Sequence, residues 1–153
     1  MREEHPELPA RTLSGNRSFP LELTIPSDVR YIEHVVGVVT ARCRELDIPP
    51  ELWRLNIRVA LTEALSNAIL YGNREDARKF VHLRAALHDR ELVIEVEDEG
   101  PGFDLERCTI DPTLEENIER EDGRGLFLMR RLVDRVEQFA RGGNIVRLTI
   151  RCP

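Results

Sequence analysis

Two polar side chains that a helix turns toward its apolar side constrain this sequence more than any other feature. Residues 52–71 repeat apolar side chains at helical spacing, so each residue can be placed about 100° around the axis from the previous one. Arg54 and Arg58 then mark the solvent side. Glu63 and Asn67, four residues apart, share the opposite, inward face. An unpaired buried polar group costs about 1–3 kcal/mol and a lone charge costs more. These two groups therefore either pair with another part of the protein or line a ligand pocket.

Composition excludes several classes of function. The chain has 153 residues and a formal net charge of −6, which argues against binding a nucleic-acid backbone through bulk charge. We find no apolar run long enough to span a bilayer and no signal-peptide core, so we expect no membrane partner. Cys43, Cys108 and Cys152 are scattered and show no Cys-x-x-Cys spacing. This pattern favours a reducing, cytoplasmic location and gives no zinc site.

The remaining periodicities predict two layers of secondary structure. Alternation of apolar and polar residues predicts strands at 19–25, 81–87, 92–98, 135–140 and 145–151. Helical spacing predicts three helices, at 29–46 with Ser27 as N-cap, at 52–71, and from Gly123 onward. The predicted fold is an α/β two-layer sandwich with a mixed, mostly antiparallel sheet and helices on one face. We assign residues 1–17 to a mobile tail and residues 18–153 to the domain.

A second inward carboxylate lies at the end of a strand. Asp98 has the parity of the apolar Leu92, Ile94 and Val96, so it faces the core side of the sheet. The acidic segment 103–122 follows it without strand periodicity. Loops of this length are uncommon in compact domains unless they are lids or binding loops, so we predict a lid here.

Three motifs stand in order on suitable elements. They are Glu63-x-x-x-Asn67 on a helix, Asp98-x-Gly100-x-Gly102 after a strand, and Gly123-x-Gly125 before a helix. Together they resemble the GHKL or Bergerat-fold ATPases over about residues 19–151. The run from Glu63 to Ile69 is most similar to the bacterial anti-sigma-factor serine/threonine kinases. No P-loop motif is present, so that type of phosphate site is excluded.

The resemblance implies an adenine site on the second motif. Asp98 is expected to accept a hydrogen bond from the adenine amino group of ATP. Gly100 and Gly102 are expected to let the backbone approach the base and ribose, where a Cβ would collide.

The other two motifs are expected to serve the phosphates. Asn67 is expected to hold Mg²⁺ through its amide oxygen. Gly123 and Gly125 would bring backbone N–H groups to the phosphates at a helix N-terminus, with an added contact from Arg124. The resemblance and the position of Glu63 indicate the general base for a serine or threonine hydroxyl.

The resemblance also implies partners. Such proteins bind a sigma factor and phosphorylate an anti-anti-sigma (STAS-type) protein, and we expect a homodimer by the same analogy. Two positions depart from the family. Tyr71 stands where relatives often have histidine, and Asn144 is nearest to a threonine that they commonly carry beside the adenine carboxylate, so we assign Asn144 no role.

Two alternatives of different class remain. The chain could be a non-catalytic binding module gated by nucleotide, which needs Asp98 and the glycines but no base; the presence of Glu63 favours the kinase. It could also be the detached ATPase domain of a histidine kinase. We find no helix with a phosphoacceptor histidine before residue 19, which counts against that reading.

Overall fold

The computed structural model describes residues 20–101 and 121–153 of the chain. The predicted tail (1–17), Gly102 and residues 103–120 of the predicted lid lie outside these ranges. The described residues include no helix that is both long enough and apolar enough to cross a membrane.

In residues 20–101 and 121–153, five strands form one sheet, and all four pairings between them are antiparallel. The strands are β1 (Leu21–Pro26), β2 (Phe80–His88), β3 (Glu91–Asp98), β4 (Arg135–Ala140) and β5 (Asn144–Arg151). Their order across the sheet is β1-β2-β3-β5-β4, so β3 lies at the centre. The central position places the end of β3 between two neighbouring strands.

Within the described ranges, three α-helices accompany the sheet. They are α1 (Ile32–Glu45), α2 (Ile57–Asn67) and α3 (Glu121–Leu132). A 3₁₀ turn (Val29–Tyr31) precedes α1, and π-helical turns (Leu52–Asn56 and Ala68–Gly72) flank α2. The element order is the predicted one, and the two-layer prediction is confirmed.

Alternation along the strands explains which face the helices cover. On β3, Leu92, Ile94 and Val96 are buried, and α2 presents the buried Leu61 and Leu65. These side chains belong to one continuous apolar core, so the helix layer lies on the predicted face. The tight β2–β3 turn is formed by two residues with positive φ, as two-residue hairpins with the primed turn types require.

Four side-chain predictions are wrong. Ser27 is not the N-cap, because Asp28 caps the 3₁₀ turn and its Oδ1 accepts a hydrogen bond from the Arg30 backbone N–H at 2.9 Å. Val29 and Leu55, which the helical pattern placed inward, are 46% and 57% exposed. The added turns at both helix starts shift these residues off the apolar face. Strand alternation places Thr149 with Arg147 and Arg151 on the solvent-facing side of β5, but Thr149 is buried.

The face of the sheet away from the helices carries a network of paired charges. Its centre is Glu95, whose side chain is 12% exposed. Arg147 approaches Glu95 Oε2 at 2.7 Å, Arg141 at 3.3 Å, and Arg84 lies 3.5 Å from Oε1. Burial alone would raise the pKa of Glu95, but the hydrogen bonds and charge of Arg147, then the charges of Arg141 and Arg84, bring this pKa below its usual range.

Replacing Glu95 by glutamine should lower the free energy of unfolding by about 1–2 kcal/mol at pH 7, because charged hydrogen bonds are lost. The pKa of Glu95 is lower in the folded chain than in the unfolded chain, where it is near 4.3. Its contribution is therefore full above about pH 5 and disappears as the pH falls through the folded-state pKa. Urea unfolding at pH 7, 5 and 3.5 should show that the difference in free energy of unfolding between wild type and Glu95→Gln decreases as the pH falls.

Glu91→Gln, whose partner Arg151 is 3.9 Å away and mostly exposed, is the control and should change little. A difference between wild type and Glu95→Gln that does not depend on pH would contradict this account.

Candidate functional site

The end of α2 carries the first predicted site residue. Asn67 is only 5% exposed, which confirms that it is turned inward. Within residues 20–101 and 121–153, its side-chain amide has no hydrogen-bond partner. Glu63, one turn earlier, is half-buried, so the prediction of an inward position is confirmed for Asn67 but not for Glu63. An inward-facing amide with no hydrogen-bond partner among the described residues fits the proposed role as a hard-cation ligand.

Asp98 is the most buried ionisable group in the site. Its residue exposure is 1%, which confirms the prediction from strand parity. The Gly100 backbone N–H donates to Asp98 Oδ1 at 2.8 Å, and Asn144 Nδ2 donates to Oδ2 at 3.0 Å. Burial raises the pKa of Asp98, and these two donors oppose that rise. The carboxylate is therefore held by neutral donors, with lone pairs left over for a further donor.

Three glycines enclose Asp98 so closely that none has room for a side chain. A Cβ on Gly72 would overlap the Asp98 carboxyl group, and one on Gly143 would overlap the Asp98 backbone oxygen. A Cβ on Gly100 would overlap the carbonyl oxygen of Gly72. Packing within the protein itself therefore requires a glycine at position 100. The widened turn after α2 brings Gly72 against Asp98, about 7 Å along the helix axis beyond Asn67.

The side chain of Asn73 connects the segments around Asp98 through hydrogen bonds. It is fully buried, and its Nδ2 donates to Ser27 Oγ at 2.8 Å and to the Phe80 carbonyl at 2.9 Å. Its Oδ1 accepts the Glu99 backbone N–H at 2.7 Å. Its own N–H closes the widened turn on Ala68 O at 2.8 Å. One side chain thereby joins the start of β2, the end of β1 and the residue after Asp98.

Two side-chain amides, those of Asn144 and Gln138, form a chain of hydrogen bonds on the other side of Asp98. Asn144 begins β5 directly opposite Asp98 in the register, and it is buried. Gln138 Nε2 on β4 donates to Asn144 Oδ1 at 2.7 Å. The hydrogen bonds therefore run from Gln138 through Asn144 to Asp98.

The structure brings Asp98 and Gly100 together with the turn that follows Asn67. Gly102 lies outside the described residues. Gly123, Arg124 and Gly125 lie in α3, which begins at Glu121, two residues before the glycine motif.

Sequence reasoning missed Gly72, Asn73, Gly143 and Gln138 as parts of this site. The Gly-Asn pair after the helix and the Gly-Gly-Asn turn before β5 are visible in the sequence, but local turn chemistry alone is enough to explain each of them.

Two cavities in the structure lie elsewhere. One of about 330 Å³ opens on the charged face of the sheet and includes Glu22, Ala86 and Val93. Another of about 560 Å³ lies beside α1 and Trp53. Neither includes a predicted site residue. We locate the site from Asp98 and Asn67, because buried polar groups with unused hydrogen-bonding capacity indicate a binding site more specifically than an apolar hollow does.

In the described part of the chain, no group of three His, Cys, Asp or Glu side chains is placed to hold a metal.

Substituting Gly72 by alanine should destabilise the fold by about 1–3 kcal/mol, because the methyl group must displace the Asp98 carboxyl group. Gly37→Ala is the matched control, since a Cβ at Gly37 in α1 meets nothing within 4 Å. That control should gain up to about 1 kcal/mol from helix propensity. Urea unfolding of both variants measures the difference, and equal shifts would show that the packing of Gly72 on Asp98 is unimportant.

Comparison with known proteins places this chain in a family. The family model described as the histidine kinase-like ATPase domain matches residues 25–150. The chain belongs to this family.

Named relatives of similar size give a narrower class. An anti-sigma F factor of Caldanaerobacter subterraneus subsp. tengcongensis is 31% identical over 116 residues, covering 73% of this chain and 79% of the relative. An anti-sigma F factor of Clostridium acetobutylicum is 29% identical over 116 residues, covering 74% and 80%. The serine-protein kinase RsbW of Bacillus subtilis is 30% identical over 99 residues, and the match spans 61% of this chain and 62% of that protein. Within its family, the chain is thus similar to proteins named anti-sigma F factor and serine-protein kinase.

A solved structure confirms the fold. The crystal structure of the RsbU and RsbW domains of Rv1364c from Mycobacterium tuberculosis superimposes with a TM-score of 0.64 at 20% identity. The superposition covers 88% of this chain and 32% of that one. The predicted architecture, with helices on one side of an antiparallel sheet, is therefore the fold of this domain.

Proposed function

We propose that this protein is an ATP- and Mg²⁺-dependent serine/threonine protein kinase of the cytoplasm that binds a sigma factor and phosphorylates an anti-anti-sigma (STAS-type) partner. We also propose that it works as a homodimer. The observation that carries the proposal is the buried Asp98 carboxylate, whose hydrogen bonds within the described residues come from neutral amide donors. It lies next to the helix that carries the inward-facing amide of Asn67. The similarity to relatives named anti-sigma F factor and serine-protein kinase supports the choice of activity and partners in this proposal.

Each residue then has a defined task. Asp98 accepts the adenine amino group, and Gly100, together with Gly102, keeps the backbone close to the base. Asn67 holds Mg²⁺, which neutralises phosphate charge when ATP is bound.

On the phosphate side, Gly123 and Gly125 provide backbone N–H groups near the start of α3, and Arg124 adds positive charge. Most of the rate enhancement comes from this positioning and neutralisation.

Glu63 takes the proton from the attacking hydroxyl. Its half-buried position suits that task better than the full burial expected from the helical pattern. The hydroxyl belongs to a second protein, so the base must be reachable from the surface. A fully buried Glu63 could not meet a side chain of a folded partner.

The second candidate function is that of a non-catalytic binding module, a nucleotide-dependent gate that binds its partner in only one nucleotide state. It needs the adenine site around Asp98 but makes no use of a base at Glu63. Transfer of phosphate therefore separates the two functions, whereas nucleotide binding alone does not.

Glu63→Gln should reduce phosphate transfer by at least about 100-fold while leaving nucleotide affinity within about threefold, because only the proton acceptor is removed. The assay is transfer from radiolabelled Mg-ATP to the cognate anti-anti-sigma protein, with affinity measured separately by calorimetry. Glu51→Gln, an exposed position on the approach to the same helix, is the control and should behave as wild type. Transfer that survives Glu63→Gln would remove the base assignment, and absence of transfer in the wild type would favour the gate.

Asp98→Asn should weaken ADP binding by about 1–3 kcal/mol, the range for a hydrogen bond to a charged group. The variant keeps the shape of the side chain but loses the charge and half of the acceptor capacity. Calorimetric titration with ADP measures this loss. Asp89→Asn in the β2–β3 turn is the matched control and should leave the affinity unchanged. Equal affinity of Asp98→Asn and wild type would take Asp98 out of the site.

A further inference from the structure

We infer that Asn56 is a positioning residue for the phosphate side of the site. Its side chain holds the end of α3 and thereby sets how far that helix lies along α2. This register decides where the glycine motif at the start of α3 meets Glu63 and Asn67. The inference rests on the proposed function, in which these elements surround the phosphates. Asn56 itself lies outside the three sequence motifs.

The Asn56 side chain connects the start of α2 to the end of α3. Its Nδ2 donates to the backbone carbonyl of Leu132 at 3.0 Å. Leu132 is the last residue of α3, where a carbonyl has no partner within its own helix. Because only the nitrogen of an amide can donate to a carbonyl oxygen, the contact fixes which way the Asn56 amide is turned.

The same contact shows which face of α2 meets α3. Three later residues share the stripe of Asn56, because offsets of four, seven and eleven positions at about 100° each return to within about 40° of its direction. They are Ala60, Glu63 and Asn67. Since Asn56 reaches Leu132, this stripe faces α3. Ala60 is fully buried on it, and its small side chain allows the two helices to approach closely.

The level of each residue along the helix pair follows from this contact as well. Both helices contribute to one apolar core and pack side by side, so α3 runs back from Leu132 toward the end of α2. At about 1.5 Å per residue, Glu63 lies about 10 Å beyond Asn56. The same distance back from Leu132 reaches Gly125. The hydrogen bond at one end of the pair therefore sets the place of the glycine motif at the other end.

Apolar packing alone defines this register only weakly. Leu61 on α2 and Leu126 and Met129 on α3 are fully buried, but apolar contacts have no preferred direction. A hydrogen bond does have one, and it weakens steeply when its geometry is lost. A misplacement of about 1 Å can reduce the rate of a positioned reaction about 100-fold. A shift of α3 that the core tolerates would therefore still be large for the phosphates.

Three substitutions of Asn56 separate the donor from the shape of the side chain. Asn56→Leu and Asn56→Asp keep the approximate shape but provide no donor, and the charge of the second also repels the Leu132 carbonyl. Asn56→Gln keeps the donor on a side chain one methylene longer. Asn56 is only partly buried, which permits the longer side chain.

The measured quantity is the ratio of the dissociation constants of AMP and Mg-ATP, obtained by calorimetry. AMP has the same base and ribose but lacks the two outer phosphates, so the ratio reports on the phosphate side. We expect wild type to bind Mg-ATP more tightly than AMP. Asn56→Leu and Asn56→Asp should lower the ratio by about tenfold, the effect of one good hydrogen bond. Asn56→Gln should keep it within about threefold of wild type.

Urea unfolding of the same variants separates positioning from stability. Leucine is a better helix former than asparagine, so Asn56→Leu should unfold at a urea concentration close to that of wild type while its ratio falls. Thr40→Val is the matched control, because it removes the hydrogen bond from Thr40 Oγ1 to the Val36 carbonyl at 2.9 Å within α1. This control should lose stability and keep the ratio of wild type.

Equal ratios in Asn56→Leu and Asn56→Gln would overturn the inference, and these two variants decide the question even if Asn56→Asp does not fold. A ratio in Thr40→Val as low as in Asn56→Leu would also overturn it, since loss of stability would then explain the effect. If wild type binds neither nucleotide, or binds both equally, the proposed phosphate site fails and the inference fails with it. If wild type prefers Mg-ATP and no variant of Asn56 alters the preference, only the inference fails.

Discussion

The burial of Asp98 is the constraint on which the site depends. A carboxylate at 1% exposure is costly unless donors replace the water that it lost. The fold supplies them from opposite sides, with Gly100 N–H from the turn after β3 and Asn144 Nδ2 from the start of β5. Neither donor brings a charge, so the negative charge of Asp98 remains available to a ligand. Close contact of three chain segments then excludes side chains at Gly72, Gly100 and Gly143.

The helix layer meets this carboxylate through a change of helical geometry. The last turn of the long helix widens, and the Asn73 N–H closes it on Ala68 O rather than on the residue one position later. This places Gly72 against Asp98 and directs the Asn73 side chain between β1, β2 and Glu99. Inserted turns of this kind are frequent at functional sites, because they re-aim a few side chains without ending the helix. Here they connect the segment bearing Asn67 to the segment bearing Asp98.

The sequence could predict what depends on local periodicity. Strand parity predicted that Asp98 faces the core, and helical spacing predicted the burial of Asn67; the structure confirms both. The order of helices and strands followed from the same patterns. The incomplete burial of Glu63 could not be predicted, because it depends on packing around α2. Nor could the Asn144–Asp98 pair or the Asn73–Ser27 pair, since each joins residues 46 positions apart. Such partners are chosen by tertiary structure, and a one-dimensional pattern contains no information about them.

Two carboxylates on the same strand, the mostly buried Glu95 and the fully buried Asp98, show how structural and ligand-binding acids differ. Glu95 faces the outer side of β3 and is surrounded by Arg84, Arg141 and Arg147, so its charge is neutralised and its pKa falls. Asp98 faces the helix side three residues later, receives only neutral amide donors, and has a raised pKa. A purely structural acid gains most from a cation, as Glu95 does. An acid that must recognise an amino group cannot be neutralised by an arginine, since the cation would occupy its lone pairs and repel the donor. Among the described residues, Lys79 acts on Asp98 only through its charge and forms no ion pair with it. This is the physical reason to regard Asp98 as a recognition group rather than as part of the scaffold.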